Sequence, residues 1–262
     1  MLNTDFLAPK TAPIFEALRL RPELQGMVLV GGTALALQVG HRLSEHLDFW
    51  LPGSRLNVFT IDVLMRDLLA QGRQVFFAND PNKASAFRIN TSANLAAFAQ
   101  DWVVDGVKLQ FFCRLDAPYV FFSSLPRHSP SAVGCTFEVA SPQMLLHMKS
   151  WLIHQRVRSR DLFDLWHFLQ TGNSIETLVR AASKASAATS EDYAKQVLIG
   201  LVPLDAEDEG FASLTHGTRL DQIRLDFVSA INAWEVELAQ VALQGDGTRL
   251  DRSGRQPGSV DV

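Results

Sequence analysis

The residues best suited to chemistry lie in one stretch, 28–50, which reads VLVGGTALALQVGHRLSEHLDFW. A brief apolar run ends in Gly31-Gly32, and Thr33 opens a second apolar segment. Neither glycine carries a Cβ, so the backbone can turn tightly there and a ligand can approach it closely. Thr33 is expected to cap the next helix, leaving that helix's first N–H groups free to receive phosphate oxygens. Asp48 follows on a strand-like segment, where a carboxylate can hold a divalent cation against the same phosphates. The chemistry suggested is a phosphate cradle completed by a metal carboxylate. The same spacing also suits a plain turn followed by a surface aspartate, since short motifs often match by chance.

The elements that must position these residues can be read from periodicity and punctuation. A helix is expected near Thr11-Ala12-Pro13, and another over 58–69, ending at Gly72. Segments 74–77 and 86–90 read as strands, 94–100 as one or two helical turns, and 135–139 as a short strand. Residues 102–113, WVVDGVKLQFFC, read as a hairpin bent at Asp105-Gly106. Ser141-Pro142 is a strong helix start, a cap followed by proline at the first helical position. Two helices then meet near 157–159, with Lys149 on the first and Asp161 and Asp164 three apart on the second. Helices are expected over 174–186, 190–200 and 220–243, with the Ala/Ser-rich 181–190 as a mobile connection. Strands and helices fill the first half and helices the second, an α+β domain followed by a helical one. The boundaries read are 1–140, 141–244 and a polar, Gly-containing tail over 245–262, expected to be disordered.

Composition narrows the class. The 262 residues are 47% hydrophobic and 20% charged, enough for a sizeable core. A formal net charge of −4 argues against a generic nucleic-acid coat, although a local basic patch is compatible with it. The sequence has only two cysteines, Cys113 and Cys135, which makes a disulfide framework or a zinc site a poor expectation. No leader pattern is visible at the N-terminus, and no apolar run nears the roughly 20 residues of a membrane span. The expectation is a cytoplasmic protein without a membrane partner.

Three blocks, in order, resemble the nucleotidyltransferase toxins of the AbiEii/AbiGii type, part of the DNA polymerase β-like nucleotidyltransferase superfamily. The first, LVGGTALALQVGHRLSEHLDFW (29–50), is similar to that family's Gly-Gly-Thr, His-Arg-x-Ser and Asp-x-Asp elements. The second, DGVKLQFF (105–112), looks like its third-carboxylate strand. The third, MKSWLIHQRVRSRDLFDLWHFL (148–169), looks like its Lys, Arg and Arg/Lys-Asp-x-x-Asp helices. The resemblance implies a polymerase β-like fold, a mixed sheet flanked by helices, with a helical C-terminal domain. It also implies transfer of a nucleotide from an NTP to an RNA (such as tRNA) or protein hydroxyl, by a toxin encoded with a cognate antitoxin.

By position, the resemblance assigns catalysis to Asp48, Lys149 and Asp164, and nucleotide binding to Gly31, Gly32, Thr33, Lys149 and Arg160. It implies a divalent metal, Mg or Mn, on Asp48 and His46. The chain departs from the superfamily pattern at two of three carboxylate positions, which hold His46 and Gln110. Imidazole is a fair ligand for zinc or manganese and a poor one for magnesium. A second reading therefore stays open: an impaired nucleotidyltransferase fold that binds a nucleotide or a partner protein. A purely structural interaction domain is a third. Taken alone, Lys149 reads as a solvated helix residue, Arg156 to Asp161 as a salt-bridged helix junction, and His41 and Arg42 as braces of the turn. The group His147, Lys149, His154, Arg156, Arg158 and Arg160 could also seat an acceptor end.

Overall fold

The computed structural model describes residues 2–210 and 217–250, with side chains through residue 244. The strands are β1 Val28–Val30, β2 Leu47–Leu51, β3 Val75–Phe77, β4 Ala99–Val104, β5 Val107–Cys113, β6 Arg127–His128 and β7 Glu138–Ala140. They form one mixed sheet in the order β3-β4-β5-β2-β1-β7-β6. β2 runs antiparallel to β1 and parallel to β5, with Asp48 directly opposite both Val30 and Gln110. Gln110 in turn faces Asp101 across the β4–β5 hairpin.

The helices are α1 Thr11–Leu18, α2 Gly31–Val39, α3 Val58–Ala70, α4 Pro81–Thr91, α5 Ala117–Ser123 and α6 Pro130–Val133. They continue with α7 Pro142–Leu152, α8 Ser159–Gln170, α9 Ile175–Ala185, α10 Glu191–Ile199 and α11 Leu220–Leu250. None of them is long and apolar enough to cross a membrane.

β5 alternates cleanly, burying Val107, Leu109, Phe111 and Cys113 and turning Lys108, Gln110 and Phe112 to the opposite face. On the first face Phe49 stacks on Phe111 and meets Phe137 edge-on, with ring centroids 5.5 and 5.1 Å apart. On the second face Trp50 and Phe112 pack against Tyr119 of α5, which also meets Trp151 of α7. These aromatics cover the far end of β2 and leave its Asp48 end open. One buried apolar cluster includes side chains from Leu7 to Trp234, and so draws on both expected halves.

α7 starts as its sequence predicts: Ser141 Oγ accepts from the Met144 N–H at 3.2 Å, with Pro142 following. It is buried on nearly every side, between α2, α8 and α9. Two expectations are corrected. Segment 86–90 is not a strand but part of α4, because Asp80 caps the Asn82 N–H and Pro81 starts the helix. Alternation of apolar residues there has no sheet to bury it, and α4 has no buried residue. Thr33 does not cap α2, which starts at Gly31 with Val30 as its N-cap. Segment 94–100 holds a single 3-10 turn, Leu95–Ala97, before β4. The backbone of 245–250 continues α11, while 251–262, the rest of the expected tail, lies outside the described residues.

Candidate active site

The start of α2 forms the floor of a cavity of about 370 Å³. Its first N–H groups have no partner within the helix and are oriented to receive an anion. Gly31 has φ +73, and a Cβ on it would stand 2.5 Å from Oδ2 of Asp48. A Cβ on Gly32 would stand 2.3 Å from Nη2 of Arg42. The two glycines thus admit one carboxylate and one guanidinium against the helix start. Thr33 is buried, and its hydroxyl bonds the Ser44 hydroxyl at 2.6 Å and donates to the carbonyl of His46. Its role is to tie the chain entering β2 to the first turn of α2.

Gly31, Gly32, Thr33, His46, Asp48, Lys149 and Arg160 all line this cavity, with Lys108, Gln110, Arg156, Arg158 and Glu209. Asp164 does not. It is fully buried behind the wall, where it accepts from Nε and Nη2 of Arg42 at 2.7 and 3.1 Å. His41 Nε2 is 2.7 Å away and Lys149 Nζ is also 2.7 Å away. Lys149 is 4% exposed and binds Asp161 as well, at 2.5 Å; Arg156 closes the chain on Asp161 at 3.0 Å.

Burial opposes every one of these charges, and the partners decide the outcome. Burial draws the Lys149 ammonium down, but Asp161 and Asp164 hold it above its ordinary range. Burial pushes Asp164 up, yet Arg42 and Lys149 hold it well below the usual carboxylate range, and Lys149 and Arg156 hold Asp161 below it. For Asp48 burial wins and raises its pKa, although His46, Lys149, Arg156 and Lys108 favour its ionised form.

The Asp48 carboxylate makes no hydrogen bond or ion pair within the described residues. The other cavity carboxylates are paired: Glu45 and Glu209 with Arg160, and Asp161 with Lys149 and Arg156. Its strand neighbour Gln110 donates its amide N–H to Asp101 at 2.9 Å, which leaves the amide oxygen as the group Gln110 can offer a cation. No group of three His, Cys, Asp or Glu side chains among the described residues is placed to hold a metal ion. This donor set suits one hard cation that brings phosphate oxygens and water as its other ligands, as magnesium commonly does. It does not suit a two-ion site.

Several cavity residues were not singled out by their sequence. Arg42 reads from the sequence only as a brace of the turn, because its partner Asp164 lies 122 positions away. The basic group read on α7 and its following turn divides in space. Lys149, Arg156, Arg158 and Arg160 reach this cavity, whereas His147 bonds the Ala181 carbonyl and His154 lines a second cavity beside Tyr193.

Residues 14–240 match the family described as nucleotidyl transferase AbiEii toxin, type IV TA system. A comparison with curated proteins returns no match. Among solved structures, JHP933 from Helicobacter pylori is similar at 16% identity over 90% of this chain and 95% of that one, with a TM-score of 0.44. MenT4, a nucleotidyltransferase toxin from Mycobacterium tuberculosis H37Rv, is similar at 15% identity over 83% of this chain and 82% of that one, with a TM-score of 0.43. Since the family match runs through most of the sequence, from before β1 into α11, the chain belongs to the AbiEii family of type IV toxin–antitoxin systems and is a nucleotidyltransferase toxin.

Proposed function

We propose that the cavity seats an NTP with its phosphates on the N-terminus of α2, and that its nucleotide is transferred to a hydroxyl of an RNA. The observation that carries this reading is the unpaired Asp48 carboxylate held against the Gly31 turn, in the same cavity as Lys149. The N–H groups of α2 and the Lys149 ammonium bind phosphate oxygens, which orients the α-phosphorus toward the open side. Asp48 and the Gln110 amide oxygen, with His46 beside them, would hold a magnesium or manganese ion. That ion, when bound, neutralises charge on the phosphates as it shifts to the leaving oxygen. The acceptor oxygen bonds the α-phosphorus, the bond to the bridging oxygen of the β-phosphate breaks, pyrophosphate leaves, and the hydroxyl proton passes to water.

Asp164 acts as a positioning residue, since it touches Lys149 and Arg42 and not the cavity. Arg156, Arg158 and Arg160 in the wall favour a phosphate-bearing acceptor over a protein hydroxyl. Membership of a toxin–antitoxin family implies an NTP substrate and a cognate antitoxin. The test incubates the protein with labelled NTPs, total tRNA and either Mg or Mn. Label is expected on RNA with wild type and not with Asp48→Ala. Absence of transfer with both proteins under either metal would overturn the reading and leave the nucleotide-binding role that His46 and Gln110 suggest.

A further inference from the structure

We propose that Glu207 and Glu209, in the acidic segment 205–210, form a built-in anion that occupies the RNA-phosphate track of the cavity, and that the phosphates of the acceptor displace these two carboxylates. The inference rests on RNA being the acceptor. The sequence there is DAEDEG, with four carboxylates in five positions. Three of them meet arginines that line the cavity, and the fourth, Asp208, anchors the segment to α8. Arg158 Nη2 is 3.3 Å from Glu207 and its Nε is 4.0 Å from Asp205. Arg160 Nη1 is 3.2 Å from Glu209, and its Nε donates to the Gly210 carbonyl at 2.8 Å. At the start of α8 the N–H and hydroxyl of Ser159 both donate to Oδ1 of Asp208, at 3.0 and 2.9 Å. Two arginines on one cavity wall are a favourable seat for phosphate groups, and here the Glu207 and Glu209 carboxylates fill it.

The contacts differ in how firmly they are held. The Glu207 and Glu209 side chains are 75% and 55% exposed, so these pairs form in water and are weak. The Lys149 pairs with Asp161 and Asp164 are nearly fully buried and are not open to exchange. Arg160 keeps a second carboxylate, Glu45 at 3.0 Å, so it stays aimed at the cavity when Glu209 leaves. Arg158 and Arg160 line the cavity at that point, and a phosphodiester backbone can take over the vacated donors. The segment thus lowers affinity for short or stray anions and admits a ligand that engages several donors together.

The test measures equilibrium binding of a fluorescent single-stranded RNA to the full chain, without NTP. A Glu207→Gln/Glu209→Gln variant should bind roughly fivefold more tightly than wild type, two weak pairs being removed. Asp208 is left in place because it caps α8. An Arg158→Gln variant should bind more weakly than wild type. Unchanged or weaker RNA binding by the Glu207/Glu209 variant overturns the proposal. So does a gain in affinity for an unstructured, hydroxyl-rich protein with none for RNA. Thermal unfolding verifies that each variant is folded, and NTP-induced stabilisation measured alongside reports separately on the nucleotide reading.

Discussion

Nζ of Lys149 stands 2.7 Å from Oδ2 of Asp164, within a contact between α7 and α8 from which water is excluded. The same carboxylate holds Arg42, which lies on the connection from α2 to β2. One buried anion therefore ties three parts of the chain together at the back of the cavity. Asp164→Asn leaves the Arg42 guanidinium buried without its carboxylate and Lys149 with Asp161 alone, and breaking a buried pair in this way typically costs about 3–5 kcal/mol. Urea unfolding of the two proteins measures this. Nucleotide transfer should fall too, through misplacement of Lys149.

The pH dependence of that difference has a definite sign. Asp164 and Asp161 are held below their unfolded value, so their contribution is fully present above about pH 3.9. It is lost as the pH falls through their folded values. The stability gap between wild type and Asp164→Asn should be constant from neutral pH to about pH 5 and narrow in stronger acid. A gap that widens on acidification would contradict the assignment.

Asp48 presents the opposite case. Burial raises its pKa, and it has no partner among the described residues, so its ionised form costs stability at neutral pH. Asp48→Asn should raise the melting temperature of the free protein by roughly 2–4 °C at pH 7, the shift that 1 kcal/mol gives a domain of this size. The gain should shrink as the pH falls through the raised folded value and vanish well below about 3.9, where the wild-type carboxyl is neutral in both states. With NTP and magnesium the order should reverse, because only wild type gains the metal-dependent increment. Thermal shifts at two pH values, with and without NTP and metal, check both halves.

What could be read from the sequence followed from how local each signal is. The Ser141-Pro142 start of α7 and the Asp105-Gly106 bend of the β4–β5 hairpin depend only on neighbours, and both residues of the bend adopt positive φ. The Gly31-Gly32 turn, Asp48 and Lys149 were found together, and they share one cavity. The burial of Lys149 was not legible in its own helix, where a single lysine reads as solvated. It depends on two carboxylates supplied by α8. Likewise the partner of Arg42 is 122 positions away, and the carboxylates opposite Arg158 lie about 50 positions on, so no local pattern marks them. Segment 86–90 is helical because the Asp80-Pro81 start that precedes it carries the chain into α4.

Thr33 bears on positioning without a cap. Its hydroxyl is buried and serves both Ser44 and the carbonyl of His46. Thr33→Val keeps the shape and removes both bonds, leaving a buried carbonyl and hydroxyl short of partners, at a cost of about 1–3 kcal/mol. Thr33→Ser retains the hydroxyl and should recover most of that loss. Chemical denaturation of the three proteins decides it; equal stability of the valine and serine forms would show that the hydroxyl is not the cause.

Gly31 meets two constraints at once, a φ of +73 and a Cβ position 2.5 Å from the Asp48 carboxylate. They can be separated. Gly31→Ala should lose about 1–2 kcal/mol to backbone strain alone, with a further loss from the displaced carboxylate. In Gly31→Ala/Asp48→Ala the displaced group is gone, so only the backbone part remains. The two substitutions should therefore be non-additive, the double variant being more stable than the sum of the single effects predicts. Additive effects would mean that Asp48 moves aside freely. In that case the glycine is required by the turn and not by the carboxylate, and metal-dependent NTP stabilisation should survive in Gly31→Ala.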